Sequence, residues 1–346
     1  DIDHIVSDEG YGKNEYLETS RPLVVVTAPG PGSGKMATCL SQLYHENKRG
    51  IKAGYAKYET FPIWNLPLSH PVNVAYEAAT ADLDDANIID PFHLDAYGET
   101  TVNYNRDVEI FPVLKAMLER IQGVSPYNSP TDMGVNMAGF AIVDDDACRD
   151  ASCREIVRRY FHSAEDCKRS GAGEQELHKI ELLMSRVGIS ADVLPARKAC
   201  LEKEEATGGP SGAIELPNGT VVTGKTGNLM GCASSLLMNA LKALAGVDDD
   251  LLVIDDEVIA PICHLKTEHL KSTNPRLHSD ETLLALAVSS RGNAIAAQLM
   301  DSINKLKGCD AHFSVIISPT DENLYRTLGI NVSCEPKFEQ RRFYHK

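Results

Sequence analysis

The chain opens polar, with short apolar breaks over residues 1–20 that read as a lead-in. Leu23-Val24-Val25-Val26-Thr27 is then an unbroken apolar, β-branched run. Such a run predicts a strand buried on both faces, as in parallel sheets. A glycine-rich stretch follows. After it Met36, Leu40, Leu43 and Tyr44 recur at helical spacing until Gly50. Residues 51–57 read as the next strand, so strand, glycine turn, helix and strand make a βαβ unit. Residues 58–100 are rich in Pro, Asn, Asp and aromatics with little periodicity, and a long irregular region inside a compact domain is often functional. An amphipathic helix is predicted over 108–121. An apolar run over 138–143 ends in Asp144-Asp145-Asp146.

From 147 to 205 the pattern is helical and highly charged. Ile156, Val157, Tyr160 and Phe161 mark one apolar face, and Leu177, Ile180, Leu183 and Met184 another. Residues 206–212 carry the Gly, Pro and Ser of a loop or linker. The last third returns to an α/β pattern. Asn218-Gly219 between apolar runs signals a hairpin. Helices are predicted over 229–245, 282–290 and 294–306, with Gly246 and Gly308 as stops. Short strands are expected over 251–254 and 313–317, and a short helix from Asp321 to Gly329.

These elements predict an α/β protein in three parts. A P-loop-like, mostly parallel sheet domain with its lead-in covers 1–146, a helical segment 147–205, and a second α/β domain 206–346. The length of 346 residues exceeds one ordinary core of about 100–200 residues. Apolar residues at 43% supply enough surface for real cores. A net charge of -15 without a dense Lys/Arg cluster argues against nucleic acid as a partner. No apolar run approaches the ~20 residues that span a bilayer, and the charged start Asp1-Ile2-Asp3-His4 lacks the apolar core of a signal peptide. The start without Met predicts a trimmed chain or a fragment. Nine cysteines, odd in number and irregularly spaced, fit neither a disulfide framework nor a zinc knuckle, so a reducing cytoplasmic setting is expected. A homo-oligomer is left open.

The sharpest chemical signal is Gly30-Pro31-Gly32-Ser33-Gly34-Lys35. Glycines at a helix entrance expose backbone N–H groups, and these with the positive helix end make an anion site. Lys35 would reach a terminal phosphate. Each charge-assisted hydrogen bond is worth about 1.5–3 kcal/mol. The Walker A pattern is met only at Gly34-Lys35: Pro29 stands where its first glycine belongs, and Met36 where its Mg²⁺-binding hydroxyl belongs. ATP or another nucleotide is therefore better provided for than Mg²⁺. The plainer reading is a turn that only joins two elements.

Carboxylates at the end of an apolar run are candidate metal ligands, and Asp144 is preferred over Asp255-Asp256-Glu257; either cluster would equally serve as a helix cap. Asn103 and Arg106, just before a helix, would clamp a phosphate or carboxylate, with Asp107 as a cap in the plainer reading. Gly224-Lys225-Thr226-Gly227 is a second glycine turn, for a second anion or for structure alone. Glu268, His278 and Asp280 lie in a stretch over 264–281 dense in His, Glu, Asn, Arg and Asp, suited to acid/base or metal chemistry; Asp280 as a cap is the alternative. No Gly-x-Ser-x-Gly or Cys/His triad spacing occurs.

Several strings together resemble a bacterial family known as domain of unknown function 1846. They are residues 21–43, Ala53-Gly54-Tyr55-Ala56-Lys57, Thr101-Val102-Asn103-Tyr104-Asn105-Arg106-Asp107, Leu265-Lys266-Thr267-Glu268, Asn274-Pro275-Arg276-Leu277-His278, Leu328-Gly329-Ile330-Asn331 and Tyr344-His345-Lys346. They span nearly the whole chain; 147–205 is less clearly covered, and Asp255-Asp256 is outside the pattern. The resemblance implies a soluble bacterial protein with a P-loop-like domain followed by a C-terminal α/β domain, in members that start well upstream. The departures at Pro29 and Met36 belong to the family's own string, which weakens ordinary nucleotide hydrolysis for the family as a whole.

Three readings of function follow. The first is a nucleotide-dependent kinase, ligase or related transferase. In it Gly30, Gly32, Ser33, Gly34 and Lys35 hold phosphates, Asn103 and Arg106 position substrate, and Glu268, His278 and Asp280 supply polar chemistry. The second is a non-catalytic sensor or scaffold for a nucleotide or phosphorylated metabolite. The third is a metal or acid/base enzyme built on the 264–281 stretch.

Overall fold

The computed structural model describes residues 1–30, 32–58 and 60–339. Pro31 of the glycine turn and the string at 344–346 lie outside the described residues. The protein is a mixed α/β chain that divides into two compact units, Asp1–Ser152 and Cys153–Lys346.

In the N-terminal unit the long helices are α1, Lys35–Lys48, and α4, Asn105–Gln122. Between them come α2, Pro71–Ala79, and α3, Pro91–Tyr97. A two-stranded antiparallel ladder pairs β1, Asn87–Ile89, with β2, Val102–Tyr104. Leu40, Leu43 and Tyr44 of α1 meet Phe111, Leu114, Leu118 and Ile121 of α4 in one core. The predicted helix over 108–121 thus lies inside α4, with its apolar stripe facing that core.

Two strand expectations in this unit are overturned. Residues 23–27 are unpaired coil, with Leu23 79% and Val25 73% exposed, and residues 51–57 are also coil. The apolar, β-branched pattern fits a buried strand, but a strand exists only through a ladder, and among the described residues no strand ladder includes either run. The βαβ unit and the mostly parallel sheet are therefore absent from the described residues. Backbone amides over 23–27 should accordingly exchange with opening free energies near zero. Deuterium uptake resolved to that peptide checks this, and slow uptake would mean that the run is paired. The apolar run over 138–143 forms a 3₁₀ turn at Ala138–Ala141 and leaves Phe140 and Val143 at the surface.

The stretch over 58–100, read as irregular, contains α2 and α3. Both begin with proline at the first turn, where the missing N–H costs nothing, and both are capped by the preceding side chain, His70 and Asp90. Asp90 is fully buried and accepts from the amides of Phe92 and His93.

A continuous helix, α5, Asp145–Ser170, carries the chain from the first unit into the second. There follow α6, Glu174–Val187, and α7, Pro195–Thr207. The hairpin comes next: β3, Ser211–Glu215, and β4, Val221–Lys225, with Gly219 of Asn218-Gly219 at φ +80°. Then come α8, Cys232–Ala245; α9, Asp256–His264; α10, Ser279–Ser289; and α11, Ala294–Asp301. The chain ends in β5, Asp310–Phe313; α12, Pro319–Thr327; and β6, Asn331–Cys334. The sheet order is β4-β3-β5-β6, with β3 antiparallel to both neighbours and β5 parallel to β6.

Alternation along β3 sets the layers. Gly212 and Ile214 face α8, whereas Ala213 packs on Ala196 and Cys200 of α7, so helices cover both faces. The strand predicted over 251–254 is irregular instead: Val253 and Ile254 are buried, Leu252 is 88% exposed, and no partner strand is present among the described residues. The strand expected from Phe313 ends there, and Val315, Ile316 and Ile317 stay buried beyond the ladder. All nine cysteines are free thiols. Burial pushes the Cys200 thiol up to about 12 and that of Cys309 up to about 11.

Candidate functional site

In the N-terminal unit the glycine turn ends where α1 begins. Gly34 occupies the cap position at φ +87°, and Gly32 lies at φ +70°. Both angles favour glycine, and a Cβ added at Gly30, Gly32 or Gly34 would meet no other atom. The turn therefore presents bare backbone to open space. Gly34 supplies no side-chain cap, so the N–H groups of the first helical turn keep their anion-binding capacity. The Ser33 hydroxyl donates to the Gly30 carbonyl at 2.5 Å. Lys35 Nζ donates to the same carbonyl at 2.9 Å and lies 3.4 Å from Ser33 Oγ. The ammonium thus sits over the turn. Met36 is half-buried and packs against the core of α1 and α4, and Thr38 is exposed.

The two residues proposed to clamp substrate are engaged within the protein. Asn103 is 1% exposed; its Nδ2 donates to Thr131 Oγ1 at 3.3 Å and its Oδ1 accepts from the Tyr104 amide at 2.8 Å. Thr131 in turn donates to Asp90 at 2.6 Å, which places Asn103 in a buried polar cluster. Arg106 lies 2.5 Å from the buried carboxylate of Asp85. Asp144 accepts from the Ala147 amide at 2.9 Å, the geometry of a helix cap. Its neighbour Asp145 lies 2.6 Å from Arg149 and 2.9 Å from His70, and the Arg149 hydrogen bond is first in holding that carboxyl below its ordinary value. Among the described residues no three His, Cys, Asp or Glu side chains are grouped to hold a metal ion.

In the C-terminal unit the dense polar stretch is pinned by its own bonds. Lys266, on a wide π-type turn at Leu265–His269, is buried and donates to the Arg276 carbonyl at 2.6 Å and to Glu281 at 2.7 Å. Arg276 Nε donates to the Gly227 carbonyl at 2.7 Å, so the second glycine turn and the 274–278 segment are tied together. The Leu277 amide donates to the Leu229 carbonyl, and the Leu277 carbonyl accepts from Ser234 Oγ on α8. Glu268 is exposed on the π-type turn, and Asp280 accepts from the amide of Glu281. His278 precedes α10 with its Nδ1 3.1 Å from Asp321 of α12. Asp321 and Lys266 were not among the expected site residues. The sequence signs only that Ser318-Pro319-x-Asp321 begins a helix; the burial of that carboxylate is a tertiary fact.

Two family models cover the chain: domain of unknown function DUF1846, N-terminal, over residues 1–188, and its C-terminal counterpart over 192–344. The chain belongs to the DUF1846 family. It is 58% identical over 346 residues to the UPF0371 protein str1377 of Streptococcus thermophilus (strain CNRZ 1066), covering all of this chain and 70% of that protein. The UPF0371 protein spr0309 of Streptococcus pneumoniae (strain R6) is also 58% identical, and DIP2346 of Corynebacterium diphtheriae 57%, with the same coverage. The strings at the glycine turn and at 274–278 are thus read within a bacterial family of unknown function. The boundary between the DUF1846 models, near residue 190, falls later than the division of the structure after Ser152, so α6 belongs to the N-terminal model and to the C-terminal compact unit. No helix among the described residues is long and apolar enough to cross a membrane.

Proposed function

We propose that this DUF1846 protein binds a phosphate-bearing ligand, a nucleotide such as ATP in the first instance, on the glycine turn at the start of α1. The observation that carries the reading is the uncapped N-terminus of a 14-residue helix behind two glycines at positive φ, with the Lys35 ammonium over the turn. Phosphate oxygens would take the free amides of the first turn, and Lys35 would exchange the Gly30 carbonyl for a phosphate oxygen. The P-loop-like character of the unit rests on this turn and not on a sheet. Transfer of a phosphoryl group, as in a kinase or ligase, would require a group to hold Mg²⁺ next to the turn. The position after Lys35 offers a half-buried thioether packed against the core, a poor Mg²⁺ ligand, which favours a second reading: a sensor or scaffold that holds the nucleotide without turning it over.

Calorimetric titration of ATP, ADP, GTP and inorganic phosphate, with and without Mg²⁺, tests both readings. Lys35→Ala should weaken nucleotide binding by roughly 10–150-fold, the equivalent of one charge-assisted hydrogen bond of about 1.5–3 kcal/mol. Equal affinity in wild type and variant would leave the turn as architecture. Binding that is independent of Mg²⁺, without product, supports the sensor; Mg²⁺-dependent turnover supports the transferase.

A further inference from the structure

The C-terminal unit holds a second centre that does not depend on the glycine turn. Its core is Asp321, only 7% exposed. Asp321 Oδ1 accepts from the Ser279 amide at 2.8 Å and the Ser279 hydroxyl at 2.6 Å, and Oδ2 from the Ser318 hydroxyl at 2.6 Å. The remaining contact of Oδ2 is His278 Nδ1 at 3.1 Å, with Ser318 Oγ 3.4 Å from the same nitrogen. Three donors besides the imidazole fix the carboxylate, and an ionised carboxylate accepts only, so Nδ1 carries the proton that points to it. The imidazole is thereby set in the tautomer whose Nε2 has a free lone pair.

Comparison with the two most deeply buried histidines among the described residues, His312 and His70, shows what is unusual. His312 has Nδ1 at 2.8 Å from Ser333 and Nε2 at 3.3 Å from Glu335. His70 has Nε2 at 2.9 Å from Asp145 and Nδ1 accepting from the Val72 amide. Both rings use both nitrogens to hold the fold. The His278 side chain is 26% exposed; it takes part with Glu281 in the capping box at the start of α10, and among the described residues no hydrogen bond is made by its Nε2. A ring held from behind by a rigid buried carboxylate, with the opposite nitrogen open, is the arrangement that proton transfer requires.

We propose that His278 is a general base in the C-terminal unit, with Asp321 as its positioning residue, and that it acts on substrates attacked by water or an alcohol, of which an acyl ester is the simplest. Nε2 takes the proton of the attacking O–H as the oxygen forms its bond to the acyl carbon. The bond to the leaving oxygen breaks with its electron pair. The proton on Nε2 then passes to the leaving group or to solvent. The imidazolium formed in between keeps its Nδ1–H on the Asp321 carboxylate, which stabilises it. Ser279 and Ser318 hold that carboxylate at the angle the ring needs.

The test uses the full chain and p-nitrophenyl acetate as the probe, with rates followed from pH 5 to 9. Wild type should hydrolyse it at least tenfold faster than His278→Gln, with the rate rising through the titration of one imidazole. The charged groups facing that imidazole are Asp321 from α12, Glu281 from α10 and Lys266 from the π-type turn. Asp321→Asn should lower the rate and move the inflection to lower pH, because the carboxylate that favours the imidazolium is gone. Asp301→Asn, at the exposed end of α11, serves as the control that leaves the rate unchanged. Turnover in His278→Gln within twofold of wild type overturns the proposal, as does an inflection unmoved in Asp321→Asn. Should Asp321→Asn fail to fold, ¹⁵N–¹H spectra of the histidine rings in wild type decide: a neutral His278 protonated on Nδ1 supports the proposal, and one protonated on Nε2 overturns it.

Discussion

Asp321→Ala is expected to lower the unfolding free energy of the C-terminal unit by about 3–5 kcal/mol, the range for removing one partner of a buried charged pair. The substitution leaves the Ser279 amide and the hydroxyls of Ser279 and Ser318 without their acceptor in a buried setting, and it frees the ring that α12 holds against the start of α10. The loss should depend on pH. Burial pushes the Asp321 carboxyl up, but the hydrogen bonds from His278, Ser279 and Ser318 outweigh it and hold the group below its ordinary 3.8. That contribution is present above 3.8 and fades as pH falls through the lower folded value. The Asp321 hydrogen bond, ahead of an opposing effect of burial, raises His278 above its ordinary 6.5. Its contribution is complete below 6.5 and is lost as pH climbs through the raised folded value. The difference between wild type and variant should therefore be widest at roughly pH 4–6.5 and shrink on either side. Urea unfolding at about pH 3, 5.5 and 8 measures it. A penalty that is flat across this range would show that the pair is not ionised.

Gly224→Ala should cost about 3 kcal/mol for a reason unrelated to backbone conformation. A Cβ at Gly224 would stand 2.3 Å from the backbone nitrogen of Leu236 and 2.5 Å from its Cα. Both colliding atoms belong to the backbone of α8, so no rotamer relieves the clash, and helix and strand must separate. Gly227→Ala is the matched control, since its nearest contact would be 3.9 Å away at the Met230 carbonyl; its effect should stay within about 0.5 kcal/mol. Equal losses in the two variants would mean that α8 does not lie against β4. The pair also separates the two uses of glycine in the second glycine turn, which share one sequence signature. Gly224 is needed for close packing, whereas Gly227 offers a carbonyl to Arg276.

The sequence was most informative where the signal is local. The apolar stripe of α4, the Asn218-Gly219 hairpin and the glycine that closes α8 each depend on neighbours within a few positions, and each appears where the pattern places it. Strands depend on distant partners. Residues 23–27 have the composition of a buried strand and lie exposed, because no ladder reaches them among the described residues. The opposite error occurred at α2 and α3, where Pro, Asn and Asp suggested loop. The same residues are helix openers when proline takes the first turn behind a capping side chain. His278 was legible as a polar residue in a dense stretch. Its orienting carboxylate, 43 positions later, was legible only as a helix start. Asn103 and Arg106 resembled a clamp because their types suit one, but their partners Thr131 and Asp85 come from separate segments that periodicity does not connect.

The order of strands in the C-terminal sheet has a consequence for synthesis. The β3–β4 hairpin closes locally, but the other edge of β3 waits for β5, and the Ser211 amide meets the Ser314 hydroxyl 103 positions away. Local hairpins form in about 1–10 μs, while a ribosome adding about 5–20 residues per second needs roughly 5–20 s to deliver that distance. For that interval the nascent hairpin offers a row of unpaired amides and carbonyls on β3, an open template for any passing strand. The most aggregation-prone species of this chain is therefore expected to be the nascent one that ends between α8 and β5, and chaperone dependence should peak at those chain lengths.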